Sequence, residues 1–103
     1  MLKQVVLVSG LILSLGMSAS SLAAGDAAAG KAKAATCIGC HGVDGISMIP
    51  NYPNLKGQKA AYTAKQLKAF RDKTRNDPVM SGMSANLTDQ DIEDLSAYYE
   101  SLK

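Results

Sequence analysis

Aromatic residues are scarce in this chain. Its 103 residues include no Trp, one Phe and four Tyr, which excludes a core built on stacked rings. There is one His and there are two Cys, so a closed zinc site of four Cys and His ligands cannot be completed, and a disulfide framework is excluded. No block of like charge stands out. Eleven basic residues against nine acidic leave a formal charge of +2, far from the basic stripe of a nucleic-acid binder. Internal repeats and alternating strand patterns are also missing. What remains as a fold class is all-α.

What is present begins with an N-terminal segment unlike the rest. Lys3 precedes an apolar run, Val5 to Val8 and Leu11 to Leu13, and small residues follow from Ser18 to Ala24. That order is the pattern of a secretory signal peptide, here residues 1–24. An uncleaved membrane anchor is the rival, but the run falls short of the ~20 residues a spanning helix needs. Cleavage after Ala23 places Ser21 and Ala23 at the two positions that must be small, whereas cleavage after Ala24 leaves Gly25-Asp26 as a clean start. The two remain open. Export implies a periplasmic domain of residues 25–103. A domain of that size usually needs a staple beyond its own side chains, and a bulky prosthetic group would supply one.

The Ala- and Lys-rich stretch after Asp26 predicts a helix over 26–36. Residues 41–58 carry Gly42, Gly45, Pro50, Pro53 and Gly57 and read as a long loop. A second helix is expected over 59–73, with Tyr62, Leu67 and Phe70 on one side. Residues 74–87 read as a second long loop, holding Asp77-Pro78, Gly82 and two Met. Thr88 caps the last helix with Asp91 three residues on, and acids crowd its first turn as the helix dipole favours. Ile92, Leu95, Tyr99 and Leu102 form its buried stripe.

Cys37-Ile38-Gly39-Cys40-His41 carries the chemistry. Cys-x-x-Cys-His is the attachment signature of c-type haem. Each thiol adds to one vinyl group of the porphyrin, and the next side chain then reaches over the ring face, so His41 can bind the iron. A thioredoxin-like dithiol uses the same Cys spacing but accompanies a βαβ pattern, which this chain lacks. Zinc lacks ligands, and a plain disulfide leaves His41 unexplained.

A haem that only transfers electrons is held on both faces, commonly by Met opposite His. The candidates are Met48, Met80 and Met83. Met48 lies too near His41 to swing around the ring and is expected to pack in the haem pocket. Between Met80 and Met83 the residues alone do not decide, since Met is also common packing material.

With these motifs in hand, the chain resembles the class I cytochromes c, in particular the small bacterial periplasmic type and single halves of diheme periplasmic cytochromes. The resemblance runs from Gly25 to the C-terminus. It rests on Gly25-Asp26-Ala27-Ala28-Ala29-Gly30-Lys31, on Tyr52-Pro53-Asn54-Leu55-Lys56-Gly57-Gln58, on Gln66-Leu67 with Phe70-Arg71, and on Met80-Ser81-Gly82-Met83 running into Leu87-Thr88-Asp89. It implies a small fold of three to four short helices wrapped around one covalent haem c, with long ligand-bearing loops. It implies Met80 as the axial ligand opposite His41. It also implies that the Pro53 carbonyl holds the far nitrogen of that imidazole, and that Gly30 allows close crossing of the first and last helices, where Leu95 and Tyr98 meet the first. Ala34 stands where the family has a larger apolar residue, and the Trp that some members place near a haem propionate is absent. Gln58, Tyr62 and Arg71 are candidates for that polar role. The implied function is a monomeric, non-enzymatic periplasmic carrier of single electrons between redox-protein donors and acceptors, with transient contact to membrane redox complexes and none to nucleic acid. Its basic middle segment, from Lys56 to Arg75, is expected to face partners opposite the acidic last helix. The rivals are a haem subunit of a larger oxidase or dehydrogenase, and a haem peroxidase or gas-binding protein with an open iron face.

Overall fold

The computed structural model describes Gly10 and residues 24–103. The expected signal peptide, residues 1–24, lies almost wholly outside the described residues. The described chain is helical throughout, without a strand: α1 (Ala27–Lys33), a 3-10 turn (Ala34–Thr36), α2 (Ile38–His41), α3 (Ala60–Arg71), α4 (Pro78–Ser84) and α5 (Asp89–Ser101). No helix among the described residues is long and apolar enough to cross a membrane.

Each helix start has a local cause. The Asp26 side chain accepts from the Ala28 and Ala29 N–H groups and caps α1. Thr88 and Asp91 form a reciprocal capping box on α5. The expected helix over 26–36 is α1 tightened into a 3-10 turn that delivers Cys37. The expected loop over 74–87 needs correction, because it contains α4. Asp77-Pro78, read as loop punctuation, is a helix start instead. Asp77 accepts from the Val79 and Met80 N–H groups, and Pro78 occupies the first turn, where its missing donor is harmless.

The core lies where α1 crosses α5. Ala34, Leu95, Tyr98 and Tyr99 form its buried cluster, with Cys37, Leu55, Leu67, Leu87 and Leu102 packed against it. Gly30 is buried in the crossing. A Cβ there would overlap the Asp94 carbonyl oxygen and come within 2.8 Å of Tyr98 Cβ.

A polar knot fastens the same crossing. Lys33 Nζ lies 2.5 Å from Asp94 Oδ2 and 2.9 Å from Asp91 Oδ1. The Asp26 N–H donates to Asp94 Oδ1 at 2.9 Å, and Gln90 Nε2 donates to the same oxygen at 3.0 Å. These contacts, the Lys33 ammonium first, hold the buried Asp94 carboxyl down at about 2 against its ordinary 3.8. A carboxyl depressed in the folded state stabilises the fold above its unfolded value, and that contribution is lost as pH falls from about 4 through about 2. Lys33 is raised by the same carboxylates and stays charged throughout that window. The Asp94→Asn variant is therefore expected to melt lower at pH 7 and to lose much of the wild-type decline between pH 4 and 2. Melting temperatures across that range check this, and parallel pH profiles for the two proteins would contradict it.

The charge asymmetry expected to face partners is partly engaged inside the fold. Lys68 pairs with Glu93 at 3.6 Å, and Arg71 Nη1 with Asp89 at 2.7 Å. Both tie α3 to α5.

Candidate haem site

The single turn of α2 presents the Cys-x-x-Cys-His segment. Cys37 stands at its N-cap and Gly42 closes it with φ +87°. A Cβ at Gly42 would overlap the Ile46 carbonyl oxygen, so both conformation and space require glycine. Cys37 and Cys40 are free, half-buried thiols. They line one cavity of about 430 Å³ together with His41, Pro53, Leu67, Phe70, Met80, Met83 and Tyr99.

His41 is buried at 6% exposure, and its Nδ1 lies 2.8 Å from the Pro53 carbonyl oxygen. A carbonyl only accepts, so Nδ1 carries the ring proton and Nε2 keeps a lone pair free for a metal. Pro53 is held in place by the loop around it. The Gly45 carbonyl accepts from the Leu55 and Lys56 N–H groups at 2.7 and 3.0 Å, and the Ser47 N–H donates to Asn54 Oδ1 at 2.8 Å.

The methionines divide. Met80 and Met83 stand three residues apart on α4, on one side of the helix, and both line the cavity. Met80 is half-buried, and Met83 is 48% exposed. Met48 departs from expectation. It is 94% exposed and belongs to a separate depression with Ile38, Val43 and Ile46. The neighbouring Ser47 is the residue turned inward, its hydroxyl 2.8 Å from the Cys40 carbonyl oxygen, and this turns Met48 out to solvent.

Of the polar candidates, Gln58 and Tyr62 line the cavity and Arg71 does not. Arg71 is drawn to α5 by Asp89 and by the Leu87 carbonyl at 3.2 Å. Gln66 and Arg75 line the cavity instead, and sequence reasoning missed both in this role. The spacing of Gln66 and Phe70, one helical turn apart, could have placed Gln66 beside Phe70 on the inner side of α3.

The donor set suits a c-type haem. Two thiols stand beside an imidazole with a free nitrogen, and two thioethers share the cavity with them. Among the described residues no group of three His, Cys, Asp or Glu is placed to hold a metal ion. Thr63 Oγ1 and Tyr99 Oη also border the cavity, buried and without a geometrically sound hydrogen bond. Burial, and then the neighbouring Cys37 sulfur, push the Tyr99 phenol upward, so this hydroxyl stays neutral in the cavity.

Comparison with known proteins agrees. The family model described as Cytochrome c matches residues 27–103. Cytochrome c4 of Pseudomonas aeruginosa is 48% identical over 93 residues, covering 90% of this chain and 46% of that protein. Cytochrome c-554(548) of Halomonas halodenitrificans is 51% identical over 81 residues, covering 76% of this chain and 98% of that one. The crystal structure of reduced recombinant cytochrome c4 from Pseudomonas stutzeri superposes with a TM-score of 0.74 at 45% identity, over 78% of this chain and 47% of the other. The chain thus spans about half the length of its cytochrome c4 relatives and nearly all of the shorter one. With the match running from the start of α1 to Lys103, the chain belongs to the cytochrome c family and binds covalent haem c with its iron.

Proposed function

We propose that this chain is a periplasmic, non-enzymatic carrier of single electrons, with Cys37 and Cys40 as the thioether anchors and His41 and Met80 as the axial ligands. The observation that carries the reading is the shared cavity, where both thiols, the imidazole and the Met80 thioether meet. The bound haem supplies the one-electron chemistry. The polypeptide does the rest. Cys37 and Cys40 fasten one edge. The Pro53 carbonyl, 2.8 Å from His41 Nδ1, sets the imidazole's orientation and strengthens it as a ligand. Asp77, by capping α4 at Val79 and Met80, fixes the turn that carries Met80. Leu67, Phe70 and Tyr99 line the cavity and would exclude water from the bound group. Two side-chain ligands, if kept in both oxidation states, would leave little to reorganise, as a carrier needs. The periplasmic location rests on the N-terminal charge–apolar–small order, and a monomer meeting redox partners in transient contacts accords with the same reading.

The axial assignment is tested with two variants. Met80→Ala is expected to abolish the weak long-wavelength sulfur-to-iron band of the oxidised protein and to let the reduced form bind carbon monoxide. Met83→Ala is expected to retain the band. The reverse pattern would move the ligand to Met83. Absence of the band in wild type, with ready carbon monoxide binding by its reduced form, would favour an open-faced gas-binding or peroxidase site.

A further inference from the structure

Among the described residues, the buried hydroxyls of Thr63, Ser84, Ser96 and Tyr99 have no hydrogen-bond partner. The first three sit on short side chains inside helices, where a turn about χ1 brings the oxygen to the carbonyl one helical turn back. Tyr99 has no such recourse. Its hydroxyl stands at the far end of a rigid ring, out of reach of its own helix, so it needs a partner from elsewhere. The ring itself is fixed. Tyr99 is 2% exposed, its ring leans on that of Tyr98 with centroids 5.1 Å apart, and its carbonyl accepts from the Gly57 N–H at 2.8 Å. The hydroxyl therefore stays where α5 delivers it, in the cavity lining beside Cys37.

Oxygen acceptors of that lining are already engaged. The Pro53 carbonyl, Asn54 Oδ1, Gln58 Oε1, Gln66 Oε1 and Asp77 Oδ1 each accept a hydrogen. The Cys37 sulfur differs. It packs against the buried cluster that holds Tyr99, and Thr36 Oγ1 stands 3.9 Å from it, a long contact even for sulfur. A free thiol can donate its own hydrogen. Attachment moves that hydrogen to the vinyl carbon and leaves a thioether sulfur, which like that of Met can only accept. A neutral phenol beside it is the matching donor.

We propose that Tyr99 is the positioning residue for the Cys37 edge of the haem: its hydroxyl donates to the thioether sulfur, holds that edge against α5 and favours the reduced iron. This rests on the attachment at Cys37 proposed above. The hydroxyl hydrogen is the positive end of its dipole. Aimed at the porphyrin edge, it offsets the negative charge that reduction adds, and hydrogen bonding around the group is one of the levers that set its potential.

The test is resonance Raman spectroscopy of the holoprotein, which reads the thioether C–S stretches. In wild type, one of the two stretches is expected to shift on transfer from water to heavy water, because its sulfur accepts an exchangeable hydrogen. In Tyr99→Phe that sensitivity should vanish. The variant should also melt about 5 °C lower, because a bonded hydroxyl is lost, whereas deleting an unpartnered one would raise the melting temperature. Redox titration of Tyr99→Phe should move about threefold toward the oxidised form. Tyr98→Phe removes a phenol that does not line the cavity and should keep both the isotope shift and the potential. If Tyr99→Phe does not accumulate, the isotope shift in wild type decides alone. An isotope-insensitive wild-type spectrum, a higher melting temperature in Tyr99→Phe or an unchanged potential in that variant would each overturn the proposal. A pyridine haemochrome showing an unsaturated vinyl group would instead overturn the attachment on which it rests.

Discussion

The Cys40→Ala variant is expected to yield a chain that holds haem weakly and folds poorly, with loss of a cooperative thermal transition as the readout. The reason is the thinness of the core. Its buried apolar residues are Ala34, Ala64, Phe70, Ile92, Leu95, Tyr98 and Tyr99, and the largest side chains fully removed from solvent are those of Ile92, Ser84 and Ser96. Beside that core lies a cavity of about 430 Å³. At about 24 cal/mol per Å³ an unfilled space of that size costs up to about 10 kcal/mol, an upper bound because an open cavity floods. Even a fraction of that is comparable with the ~5–15 kcal/mol by which small domains are stable. Covalent attachment keeps the filler in place at any dilution; where loss of Cys40 prevents that attachment from forming, the haem is held only through its axial ligands. Circular dichroism melts of wild type and variant decide the matter. A haem-free variant that still unfolds cooperatively would show that the side chains suffice.

A second large effect is expected at Gly30, where Gly30→Ala should lower the melting temperature of the holoprotein. Two opposed effects are in play. Alanine is favoured over glycine inside a helix by about 1 kcal/mol. Against this, its Cβ would overlap a backbone carbonyl of α5, and backbone cannot yield as a side-chain tip can. Overpacking of this kind costs about 1–3 kcal/mol or more, and the displacement also pulls Lys33 away from Asp91 and Asp94. The net loss of about 2 kcal/mol corresponds to roughly 10–15 °C for a domain of this size. Calorimetry checks it. An equal or higher melting temperature would mean that the helices separate without loss.

What was legible in the sequence was local. Cys37, Cys40 and His41 announce themselves by spacing, and Thr88 with Asp91 by the chemistry of helix caps. The stripe of Ile92, Leu95, Tyr99 and Leu102 announces itself by periodicity; the first three are buried, whereas Leu102, the C-cap just past the end of α5, is only half-buried. The close crossing at Gly30 came from family resemblance and agrees with the backbone. What escaped depends on how distant segments meet. Asp77-Pro78 signals either a turn or a helix start, and only the following turn, Val79 to Ser84, closing as α4 distinguishes them. Lys68 and Arg71 look free along the chain, yet α5 brings Glu93 and Asp89 to them. Arg75 is invisible as a cavity residue until Lys73 reverses the chain and Phe70 offers it a ring face. Met48 failed for the converse reason: nearness to His41 in the chain does not keep it in the pocket when Ser47 takes the inward place.

Fold and electron transfer alike require an iron porphyrin held by this chain through two thioethers and two axial side chains. The decisive measurement is the absorption spectrum of the mature protein, isolated from cells able to attach haem, read with its pyridine haemochrome. One covalent haem per chain with both vinyl groups saturated, a low-spin spectrum and the sulfur band in the oxidised state are expected. A colourless protein with two titratable thiols would contradict it.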